Sequence, residues 1–112
     1  MVDADKTTWV LNNFLTNAIR YSPGGSTILV TATLFDKHTV EISVTDHGPG
    51  IDPALHQKVF ERFFKVPGNE ESKSSGLGLA ISKEFIENMN GEIGVESGIN
   101  LGSRFYFRVP VA

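Results

Sequence analysis

The spacing of apolar residues changes repeatedly along this chain, and each change fixes what the local backbone can be. Val10, Leu11, Phe14, Leu15, Ala18 and Ile19 recur every three to four residues, which places them on one side of an α-helix. The period then falls to two. Ile28, Val30, Ala32 and Leu34 alternate on one face of a strand, and Val40, Ile42 and Val44 repeat the pattern. Helical spacing returns at Leu77, Ile81, Phe85 and Met89, and two strand-length runs, 92–96 and 103–109, close the chain. No regular βαβ alternation links these segments. The succession predicts an α/β (α+β) two-layer sandwich, with a mixed, mainly antiparallel sheet covered on one face by about three helices.

Turn chemistry sets the boundaries. Asp5 or Thr7 can open the first helix, and Ser22-Pro23-Gly24-Gly25-Ser26 stops it after Tyr21. Strands 27–35 and 39–45 flank Asp36-Lys37-His38 and read as a hairpin. A short helical stretch follows Asp52-Pro53, through Leu55 and Val59-Phe60. Residues 67–75 are small and polar and read as a mobile loop before a helix over 76–90, with Gly91 as its C′ residue. A turn containing Gly98, Asn100 and Gly102 joins the last two strands. The 112 residues fit one domain over 1–112. The formal net charge of −3 argues against a nucleic-acid surface. There is no cysteine, hence no disulfide or thiolate chemistry, and no apolar run long enough to span a bilayer. Met1 to Asp5 has no signal-peptide character.

Three clusters carry chemistry. Asn13, Asn17 and Arg20 stand at i, i+4 and i+7 on the first helix, with Tyr21 following. A solvated polar face explains this stripe. So does a ligand face, because amide oxygens suit Mg²⁺ and Arg20 suits phosphate. Asp46-His47-Gly48-Pro49-Gly50-Ile51 leaves a strand end. It reads either as an Asx-type turn or as a carboxylate at a pocket floor, placed to accept from an exocyclic amine. Ser75-Gly76-Leu77-Gly78-Leu79-Ala80 opens a helix. It is either punctuation or backbone that offers N–H groups to phosphate. Neither GxxxxGK[ST] nor GxGxxG is present. Between the last two clusters, Phe60-Glu61-Arg62-Phe63-Phe64-Lys65 puts three aromatics beside two cations.

In this order, the clusters resemble the catalytic domain of histidine kinases, within the GHKL ATP-binding superfamily. Residues 13–22 look like its N box, 46–51 its G1 box, 60–65 its F box and 76–81 its G2 box. Gly102-Ser103-Arg104-Phe105 resembles its closing GTxF-like segment, with Ser for Thr. The resemblance implies ATP and Mg²⁺ as cofactors. By similarity Asp46 binds the adenine amino group, Tyr21 flanks the base, Gly48 and Gly50 shape its pocket and Ile51 walls it. Asn17 is the main Mg²⁺ ligand, with Asn13 close by. Arg20, Lys65 and Arg62 meet phosphate. Gly76, Leu77, Gly78 and Leu79 bring backbone to the triphosphate, and 66–75 is an ATP lid. Asn13, Arg20 and Lys65 are the residues expected to serve catalysis.

Hydrolytic relatives carry Glu where this chain has Asn13. An amide takes no proton at neutral pH, so slow hydrolysis is expected and the nucleophile comes from elsewhere. In the kinases that nucleophile is a histidine on a separate dimerisation helix. His38, His47 and His56 lie in loop contexts and none resembles it. The resemblance therefore implies the ATP-binding, phosphoryl-donating part of a two-component sensor kinase, lacking its phosphoacceptor domain. It implies a response-regulator partner, a homodimeric and membrane-anchored parent, a cytoplasmic location and no membrane contact by this domain. A domain trimmed ahead of its first helix, with an open sheet edge, is expected too. A nucleotide-binding pseudokinase module without phosphotransfer is the alternative, and a serine-phosphorylating relative a third.

Overall fold

The computed structural model describes residues 4–64, 77–98 and 101–110. Its elements are α1 (Ala4–Tyr21), β1 (Leu29–Asp36), β2 (Thr39–Asp46), two 3₁₀ turns (Pro53–Leu55 and Lys58–Phe60), α2 (Gly78–Asn88), β3 (Glu92–Ser97) and β4 (Ser103–Pro110). The strands form one sheet in the order β1-β2-β4-β3. This is the expected sandwich. Among the described residues the sheet is antiparallel throughout rather than mixed, because its strands come as two hairpins joined through β2 and β4.

Cross-strand register explains the core. Directly opposed residues share a face of a sheet. Val40 opposes Val109, Ile42 opposes Phe107 and Ile93 beyond it, and Val44 opposes Phe105 and then Val95. These three apolar rungs lie under α1, whose Val10, Phe14 and Ala18 recur every four residues and are buried. Phe14 is 1% exposed and meets the rings of Phe105 and Phe107 with centroids 5.5 and 6.0 Å apart. Burying such a side chain contributes about 1.5–3 kcal/mol. α2 packs against α1 and β3 and closes the layer with Ile86 and Met89.

Three local expectations shift. Leu77, Ile81 and Phe85 are only half-buried, while Ala80, Ser82 and Ile86 face inward. Ser82 tolerates full burial because its hydroxyl donates to the Gly78 carbonyl at 2.8 Å. At the end of α2, Asn90 takes the left-handed conformation (φ 60°) and Gly91 follows it. Asn90 N–H donates to Glu87 O and Gly91 N–H to Ile86 O, so the C′ residue is Asn90 and Gly91 is C″. Val30, Ala32 and Leu34 lie on the helix side by register, opposite Val44, Ile42 and Val40. Yet Val30 and Leu34 are 45% and 74% exposed, because the helices cover β2, β3 and β4 and leave this edge open.

The other sheet face is held by charge. Glu41 accepts from Arg104 and, at 2.8 Å, from Arg108 Nε. Arg104 also donates to Glu96 and Arg108 to Glu92. Burial pushes the Glu41 carboxyl up, but hydrogen bonds and charge from Arg108 and Arg104 outweigh this and hold it below its ordinary value.

Candidate functional site

The apolar ladder ends in one polar rung. Asp46 on β2 opposes Ser103 on β4, which opposes Ser97 on β3. Asp46 and Ser103 are each 7% exposed. The strand-end carboxylate therefore occupies the last core position, where burial demands hydrogen-bond partners. Its Oδ1 accepts from the Gly48 N–H at 2.8 Å. The Asx turn is present, and it aims a buried acceptor rather than capping a surface loop.

Glycine is required around this carboxylate because backbone approaches it closely. A Cβ on Gly48 would stand 2.7 Å from the Tyr21 carbonyl and 3.1 Å from Asp46 Oδ1. Gly102, at φ 76°, abuts the Asp46 carbonyl, and Gly50, at φ 77°, abuts that of Gly98. Thus the C-terminus of α1, the 48–51 loop and the β3–β4 turn converge on Asp46. Ile51 packs on the core while its N–H donates to Ser97 Oγ at 2.6 Å.

α1 links this end to the start of α2. A Cβ on Gly78 would collide with the Asn13 carboxamide. Asn17 lies one turn further along α1, and its Oδ1 accepts from Arg20 at 3.4 Å. Arg20 is exposed, 6.0 Å from the centroid of the Tyr21 ring. Asn13, Asn17, Arg20 and Tyr21 therefore lie along α1 between Gly78, which abuts Asn13, and Gly48, which abuts the Tyr21 carbonyl beside Asp46. Leu77 caps α2 without a side-chain hydrogen bond, and Leu79 packs partly on the core. Arg62 stands apart. It donates to Glu84 at 2.8 Å on the exposed side of α2. Lys65, Gly76 and the lid expected over 66–75 lie outside the described residues.

The donor set fits magnesium and a nucleotide. Among the described residues, two buried side-chain polar atoms have no partner, Asn13 Oδ1 on this edge of α1 and Ser22 Oγ just past the helix end. Such atoms ordinarily find one. Oxygen from Asn13 and Asn17 is the hard donor that Mg²⁺ takes. Among the described residues no cluster of three His, Asp or Glu competes for a metal. Of the three aromatics over 60–64, Phe60 and Phe64 pack on the core, while Phe63 is 69% exposed at φ 64°. His38 lies in the hairpin turn, His47 is exposed beside Asp46, and His56 Nε2 lies 3.1 Å from the Ile51 carbonyl. What sequence reasoning missed is the row that Ser97 and Ser103 make with Asp46. No single-strand pattern exposes a cross-strand row, although Ser103 falls within the GTxF-like segment.

The profile of the family described as histidine kinase-, DNA gyrase B-, and HSP90-like ATPase matches residues 2–112. The chain is 34% identical over 110 residues to the adaptive-response sensory kinase SasA of Synechococcus sp. (strain JA-2-3B'a(2-13)), covering 98% of this chain and 29% of that one. It is 41% identical over 102 residues to the signal transduction histidine-protein kinase/phosphatase MprB of Mycolicibacterium paratuberculosis, covering 88% and 20%. The chain thus spans less than a third of the length of these curated relatives. Among solved structures, it superposes on a mycobacterial sensor histidine kinase MprB with a TM-score of 0.90 at 32% identity, covering 98% of this chain and 75% of that one. On full-length ShkA in complex with AMPPNP the TM-score is 0.83 at 34% identity, covering 96% and 22%. No helix among the described residues is long and apolar enough to cross a membrane.

Proposed function

The chain belongs to the histidine kinase-, DNA gyrase B-, and HSP90-like ATPase family, and from that premise we propose that it binds Mg-ATP and serves as the phosphoryl-donating domain of a two-component sensor histidine kinase. The supporting observation is how α1 meets both ends of the glycine backbone. Gly48 packs the buried carboxylate of Asp46 against the Tyr21 end of α1, and Gly78 closes on Asn13, whose amide oxygen is unpartnered.

When bound, ATP supplies the phosphoryl group, and magnesium supplies charge neutralisation and orientation. Asp46 accepts from the adenine amino group, and Tyr21 and Ile51 flank the base. Asn17, with Asn13, offers amide oxygen to the metal. Arg20 and Lys65 neutralise phosphate charge, and Gly76 and Gly78 let backbone approach the phosphates. Asn13 takes no proton, so the site positions the donor without activating water, and a histidine on a separate dimerisation helix accepts the group. The phosphate then passes to a response-regulator aspartate. On this reading the domain works in the cytoplasm as part of a homodimeric, membrane-anchored parent.

The test is to incubate the protein with Mg-[γ-³²P]ATP and the dimerisation-helix domain of its parent, then to probe the product with acid. Acid-labile label on the helix domain is expected. Mg-ATP binding with no transfer would reduce the domain to a regulatory module, and acid-stable label would make it a serine kinase.

A further inference from the structure

Ser97 stands at the far end of the polar rung from Asp46, and its single hydroxyl has three neighbours. It lies 2.6 Å from the Ile51 N–H, 2.8 Å from the Gly102 carbonyl and 3.0 Å from Ser103 Oγ. Protons decide how these contacts run. An amide N–H only donates, a carbonyl only accepts, and a hydroxyl has one proton to give. Ser97 therefore accepts from Ile51 and spends its proton on Gly102. The contact with Ser103 can then run only one way, from the Ser103 hydroxyl to Ser97 Oγ.

The register gives that direction a consequence. Ser103 sits between Ser97 and Asp46 in the row. A proton aimed at Ser97 points away from Asp46 and leaves the Ser103 lone pairs on the Asp46 side. We propose that Ser97 is a positioning residue for the nucleobase pocket, which locks Ser103 as an acceptor beside Asp46 and anchors the Ile51 end of the glycine loop. Two adjacent acceptors select a base edge, or a bridging water, that donates, and disfavour a base with a carbonyl there. This rests on the reading that Asp46 receives the base.

The test compares Mg-ATP with Mg-ITP, whose base has a carbonyl in place of the amine, by calorimetric titration of wild-type protein, Ser97→Ala and Ser97→Thr, with melting curves as a folding control. Wild type should prefer ATP. Ser97→Ala should narrow the ATP/ITP ratio by about tenfold, the discrimination of one hydrogen bond, because Ser103 is then free to donate to the carbonyl. Ser97→Thr, which keeps the hydroxyl, should restore the ratio. If Ser97→Ala does not fold, Ser97→Cys, whose thiol fills the space but bonds weakly, reads the same effect. A merely structural role would lower both affinities together, and an unchanged ratio in the folded variant would overturn the inference for Ser97 alone. A wild-type protein that binds both nucleotides equally would overturn the base assignment, and this inference with it.

Discussion

Replacing Asp46 with Asn separates base recognition from folding. In the native site Oδ1 accepts from the Gly48 N–H at 2.8 Å, and the side chain is almost fully buried. An asparagine has the same shape, and its carbonyl oxygen keeps the Gly48 bond, so the loop stays anchored. The other oxygen becomes an NH₂ group. Facing an adenine amine, that group is a donor opposite a donor. The loss is one hydrogen bond to a charged acceptor, about 1.5–3 kcal/mol. At 1.4 kcal/mol per decade this weakens Mg-ATP binding by about 10- to 150-fold. The assay is calorimetric titration of wild type and Asp46→Asn, with circular-dichroism melting to confirm the fold. A folded variant with wild-type affinity would refute the reasoning, because no buried acceptor at a base-contacting position can be turned into a donor without cost.

Gly78→Ala should leave the fold intact while turning the Asn13 carboxamide aside, since the added Cβ meets a side chain and not backbone. The Mg²⁺-dependent part of ATP affinity should fall on the order of tenfold, read by titration with and without the metal. Glu41→Gln should lower stability at neutral pH by roughly 1.5–3 kcal/mol by weakening bonds to two arginines. The Glu41 carboxyl is held below its ordinary value in the folded protein. Its contribution is therefore present above the usual glutamate range, about 4.3, and lost as pH falls through the lower folded value. Urea midpoints of wild type and variant should differ at pH 7 and converge in acid. Phe107→Ala should cost about 3–5 kcal/mol, since Phe107 is 0% exposed beneath Phe14, and denaturant unfolding measures it.

Much of this was legible in one dimension because it is local. The end of α1 at Tyr21 follows from Ser22-Pro23, and both hairpins follow from alternation broken by turn residues. The site was legible to the extent that it depends on residue order, as with Asn13 and Asn17 on one stripe and glycines after Asp46. What stayed hidden depends on partners remote in the chain. Ser97 and Ser103 look like ordinary strand-end serines until the register sets them beside Asp46. The Arg62 ion pair with Glu84, 22 residues on, is likewise absent from any local pattern. Ser82 looks like the polar side of α2, because its bond to the Gly78 carbonyl cannot be inferred from periodicity. The exposure of Val30 and Leu34 has the same origin. Alternation fixes which face a residue occupies, and not whether a helix covers it.

Phe14 and Ala18 are set into the core by the same two turns of α1 that carry the half-buried Asn13 and Asn17. Foundation and working surface are thus adjoining sides of one rod, about 100° apart. A change beneath Phe14 that rolls or lifts that rod displaces the amide oxygens by a similar amount. Mutations far from any ligand therefore have a direct mechanical route to affinity, and damage to the packing of α1 should register in binding before it registers as unfolding.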